Sequence, residues 1–65
     1  MITYELHYIA EDTECVLKYE HLRGALTGFF DLIRYRPELV GVTTTRYRPG
    51  WAQREVIETT RELVP

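Results

Sequence analysis

The chain is poor in the residues from which small proteins build cross-links. Cys15 is the only cysteine among 65 residues, so no intramolecular disulfide can brace it. His7 and His21 are the two histidines, and with Cys15 they lack the spacing of a tetrahedral zinc site. No metal or cofactor is therefore expected. There is no glycine-rich phosphate loop, and neither histidine has a nearby serine or cysteine placed as a nucleophile. Lysine is scarce as well. Seven of the eight basic residues are arginine, a bias that fits a GC-rich coding sequence of bacterial or phage origin. No apolar run is long enough to span a bilayer, and no cationic-then-apolar leader opens the chain. A cytoplasmic protein is the expectation.

A length of 65 residues makes one domain, residues 1–65, and a small one. A chain of this size buries only about 60% of its unfolded surface, so its stability calls for a supplement. With disulfides and metal set aside, self-association remains, and a homodimer through a sheet edge or the polar sheet face is expected. The net charge of −2 is shared unevenly, with −4 on residues 1–33 and +2 on residues 34–65. That is a mild dipole and not a basic domain.

What the sequence does contain is one clear helical stretch, His21–Tyr35. Leu22, Ala25, Leu26, Phe29, Phe30, Leu32 and Ile33 recur at three- and four-residue steps, which gives one broad apolar face. The start carries no Ser, Thr, Asp or Asn cap, although Glu20 complements the positive helix end. Arg34 and Arg36 suit the negative end, and Pro37 stops the helix.

The flanking segments alternate as strands do. Ile2, Tyr4, Leu6 and Tyr8 are expected to face the helix, with Thr3, Glu5 and His7 on the other side. After the polar turn Ala10–Thr13, Cys15, Leu17 and Tyr19 point inward, and Val16 and Lys18 outward. Val40–Arg48 is rich in β-branched residues and reads as a third strand. Pro49-Gly50 marks a turn. Trp51–Leu63 is read as a fourth strand, against a helical reading of Ala52, Val56 and Leu63, because four strands cover the helix better than three. A tight turn between Arg48 and Trp51 would set Val42 opposite Ile57 and Thr43 opposite Val56. Val40, Val42 and Ile57 then face the helix, and a bulge or one-residue slip is the alternative register. The fold class is thus α+β, a two-layer ββαββ arrangement of one antiparallel four-stranded sheet under one helix.

Two surfaces stand out. Arg46, Tyr47, Arg48, Trp51 and Arg54 cluster about the second hairpin tip, and arginine with aromatics is the composition of protein-interface anchors. It is also a composition that grips nucleic acid, and the plain alternative is a solvated hairpin in which Arg46 pairs with Glu55 and Trp51 folds back. The second surface is Gly24 and Gly28, which fall on the helix face opposite Leu22 and Phe29, alongside Asp31 and Tyr35. Two interior glycines weaken a helix, and a partner chain lying across them would account for their presence; a neutral surface position is the alternative. Glu55 and Glu58 fall on opposite faces of a regular strand, so they form no acid–base pair. The expected function is that of a small non-enzymatic interaction protein, of phage or mobile-element accessory type, docking on a larger protein. A nucleic-acid-binding β-ribbon and a structural homodimer are the other readings, and overall acidity weighs against the former.

Overall fold

A computed structural model of the chain describes residues 1–39 and 41–60. It shows the expected ββαββ order: β1 (Thr3–Ala10), β2 (Thr13–Tyr19), α1 (Leu22–Tyr35), β3 (Thr43–Tyr47) and β4 (Glu55–Thr59). The strands form one antiparallel sheet in the order β2-β1-β3-β4, with the helix packed on one face. Val40 and Leu63, both used in the sequence reading, lie outside the described residues. No described helix is long and apolar enough to cross a membrane.

The first hairpin turns on Glu11 and Asp12, whose φ angles of 53° and 62° are both left-handed. That is a type I′ turn, whose twist matches the strands it joins. Asp tolerates this region and Glu less so. The register then runs without fault from Ala10↔Thr13 to Tyr4↔Tyr19.

Helix α1 starts at His21 without a side-chain cap, as the sequence implied. It ends where the Arg36 N–H donates to the Leu32 carbonyl at 2.8 Å, directly before Pro37. Ala25 and Phe29 are its buried residues, and Phe29 joins Leu6 of β1, Leu39 and Val42 in one core cluster. Tyr8, Ala10, Tyr19, Leu32 and Ile33 pack around that cluster. Leu39 is a core residue that strand and helix periodicity could not supply, because it sits in the connection after Pro37.

Three residues expected to face inward, Ile2, Leu17 and Phe30, are exposed. Ile2 precedes β1 and is exposed. Leu17 is exposed because β2 is the sheet's outer strand and has only one neighbour. Phe30 is 53% exposed, lying at the flank of the helix's apolar arc, where it meets Phe29 edge-on at 5.2 Å.

The second hairpin departs from the expected register. Its turn does close, with the Trp51 N–H donating to the Arg48 carbonyl at 3.1 Å and Gly50 at φ 87°. Pairing does not resume at once, however, because residues 51–54 form no ladder. Val56 therefore falls opposite Thr45 and not Thr43, and Thr43 opposite Thr59. Ile57 is left unpaired in a bulge between those positions. One consequence is that Glu55 and Glu58, opposite Arg46 and Thr44 respectively, share a face of the sheet after all.

Candidate interaction surface at the second hairpin

Strand alternation divides the arginine-aromatic cluster. Arg46 pairs with Tyr4 and shares the helix side with Thr44 and Leu6, whereas Tyr47 and Thr45 share the open side with Thr3 and Glu5. The five residues are thus brought to one end of the sheet but not into a single patch.

Each arginine lies over an aromatic ring. The Arg46 guanidinium is 5.7 Å from the centre of Tyr4, Arg54 is 5.2 Å from Tyr47, and Arg48 is 5.0 Å from Trp51. Such stacking holds a guanidinium in one orientation and favours it by the ring's negative face. Two of the three are also neutralised. Arg46 Nη1 lies 3.6 Å from Glu55 Oε2, and Arg54 Nη1 lies 2.9 Å from Glu5 Oε1.

The second of those pairs is structural in character. Glu5 is 9% exposed although it stands on the open face of the sheet, and its carboxylate also accepts a hydrogen bond from His7 Nε2 at 3.0 Å. Glu14 lies further out, 3.9 Å from His7 Nδ1. Arg54 therefore folds back from the 51–54 segment to cover a buried acid, with Tyr47 beneath it. Nothing in composition or spacing signals this contact, since Glu5 and Arg54 are linked only through β3.

Arg48 is different. No carboxylate of the described residues lies within 4 Å of it, and its only described partner is the indole of Trp51. Trp51 is half exposed, at 51%. The pair therefore presents a positively charged plate on an apolar platform at the turn, braced by the Arg48–Trp51 backbone bond.

The glycine surface resolves differently from its expectation. Gly24 and Gly28 do not face away from the sheet; they receive the ring of Tyr19 from β2. A Cβ at Gly24 would stand 3.3 Å from Tyr19 Cδ1, and one at Gly28 would stand 2.9 Å from Cζ and closer still to the hydroxyl. The close approach that glycine permits is made by this chain itself. Asp31 and Tyr35 remain exposed beside it. A shallow groove between β2 and α1 is lined by Lys18, Tyr19, His21, Gly24, Gly28 and Asp31, and it is open to solvent along its length.

Few groups carry shifted acidities. Burial raises the Tyr8 phenol above its ordinary value, and the facing Cys15 thiol adds to that. The hydrogen bond from Arg36 Nε to Glu38, at 2.7 Å, holds the Glu38 carboxyl below the usual range and raises Arg36. Among the described residues, no three of His, Cys, Asp and Glu group together as metal ligands. Compared with known proteins, the chain matches no family model, no curated protein and no solved structure.

Proposed function

We propose that the protein is a small non-enzymatic interaction protein that docks on a larger protein through the tip of its second hairpin. One observation carries this reading: Arg48 stacked on the half-exposed Trp51, with no described carboxylate beside it. A fixed cation on a large apolar ring is the kind of anchor that dominates protein interfaces, since little side-chain freedom remains to be lost on binding. The partner surface that fits it is an acidic rim around an apolar hollow. Cytoplasmic location and a phage or mobile-element accessory role belong to the same proposal.

Binding to nucleic acid is the competing reading, and the charge arrangement weighs against it. Phosphate tracking needs several cations free on one surface. Here Arg46 and Arg54 are each paired with a glutamate and lie on opposite faces. The experiment is a gel shift with random single- and double-stranded DNA and RNA at about 100 mM salt. The expected result is no binding at micromolar protein. Micromolar binding that falls steeply with salt and is abolished by Arg46→Ala with Arg48→Ala would reverse the choice.

A further inference from the structure

The outer edge of β2 has a feature that the hairpin tip does not share: it is complementary to itself. We infer that two copies of the chain pair antiparallel along β2, with Val16 opposite Val16 of the second copy. The two sheets then become one eight-stranded sheet, and both helices lie on the same side.

Backbone geometry comes first. A type I′ turn at Glu11-Asp12 closes with the hydrogen-bonded pair Ala10 and Thr13. Bonded and non-bonded pairs alternate along an antiparallel ladder, so Cys15, Leu17 and Tyr19 spend their backbone groups on β1. Glu14, Val16 and Lys18 are the residues whose N–H and C=O point away from the sheet. A two-fold axis through Val16 pairs these three with each other and with nothing else: Val16 with Val16, Glu14 with Lys18, and Lys18 with Glu14.

The side chains agree with that register. Glu14, Val16 and Lys18 all stand on the open face, where the axis sets each glutamate beside a lysine and joins the two valines between them. Val16 is exposed in the single chain, and the Glu14 side chain is 72% exposed. Lys18 has no carboxylate of the described residues within 4 Å. On the helix side Leu17, exposed for want of a second neighbouring strand, comes opposite Cys15 of the second copy. A slip that centres on Leu17 instead would set Glu14 opposite Glu20, so charge selects the register. The other edge does not compete. β4 carries Glu55 and Glu58, no cation, and the Ile57 bulge, which twists an edge away from further pairing.

This pairing leaves the Arg48–Trp51 tip uncovered, so the two proposals stand or fall separately. The test uses the full chain and two readouts. Sedimentation equilibrium should show a concentration-dependent shift from 7.7 kDa towards twice that mass. Glu14→Lys or Lys18→Glu alone should weaken association at least about tenfold, and the two together should restore most of it. Opposed Cα atoms in such a pair lie about 5.5 Å apart, within disulfide range. Val16→Cys in a Cys15→Ser background should therefore form a covalent dimer on mild oxidation. Ile9→Cys in the same background, on the same face but on the inner strand, should not. A chain that stays monomeric at all concentrations would overturn the inference. So would a double charge exchange that fails to restore association, or cross-linking no greater at Val16 than at Ile9.

Discussion

The ring of Tyr19 lies against the Cα of Gly28, leaving no room for a methyl group between strand β2 and helix α1. Alanine at an interior helix position is normally better than glycine by about 1 kcal/mol. Gly28→Ala should nevertheless lower stability, by about 1 kcal/mol or more, because Tyr19 is a rigid ring packed on the core and must give way. In a Tyr19→Leu background the same substitution should turn neutral or stabilising. Gly24→Ala meets only Tyr19 Cδ1 at 3.3 Å and should be milder. Urea unfolding of the four variants measures this. A stabilising Gly28→Ala in the parent would contradict the contact.

Arg54 and Arg48 should separate cleanly in a stability measurement, despite their equal weight in the sequence. Arg54→Ala removes an ion pair whose cation is 44% exposed and lets water reach the Glu5 carboxylate, which keeps its His7 partner, so a loss of about 1 kcal/mol is expected. Arg48→Ala removes a half-buried cation that has no carboxylate of the described residues beside it and whose buried Nε has no hydrogen-bond partner, so it should change stability by less than about 0.5 kcal/mol. Equal melting temperatures for the two variants would show that the Arg54–Glu5 pair contributes nothing to the fold.

Alkaline pH should weaken the fold in a way traceable to Tyr8. Its folded-state pKa is raised by burial and by Cys15. The stabilisation this represents is complete below the ordinary tyrosine value of about 10 and is lost as pH rises through the folded value. Tyr8→Phe should therefore lose less stability than the parent between neutral pH and pH above about 10. The Arg36–Glu38 bond has the opposite sign: its contribution is present above the ordinary carboxylate range and disappears as pH falls through the lowered Glu38 value. Both of its residues are exposed, so that acid effect should be small. A melting temperature of Tyr8→Phe that tracks the parent across the alkaline range would remove the Tyr8 account.

The helix and the first hairpin were legible because their signals are periodic and local. The apolar residues from Leu22 to Ile33 repeat at helical steps, and Tyr4 to Tyr8 and Cys15 to Tyr19 alternate on either side of a short polar turn. The second hairpin was not, for a physical reason. The Pro49-Gly50 turn closes as expected, but two further residues and the Ile57 bulge shift the pairing, and neither leaves a mark in residue type. The same limit applies to the surfaces. That Arg46 and Tyr47 must face opposite ways follows from their being neighbours on a strand, and could have been read. That Arg54 reaches Glu5, and that Tyr19 fills the space above Gly28, depends on strand order and helix placement, which no local pattern encodes.

Docking of the Arg48–Trp51 tip on a protein is open to quantitative affinity capture from the source organism. Immobilised parent chain, Trp51→Ala and Arg48→Ala are exposed to nuclease-treated extract after circular dichroism confirms that all three are folded. One protein should be retained by the parent and lost at least about tenfold with either variant, as interface anchors worth ~2 kcal/mol require. Capture that survives both substitutions, or that is seen only when the extract is left without nuclease treatment, would contradict it.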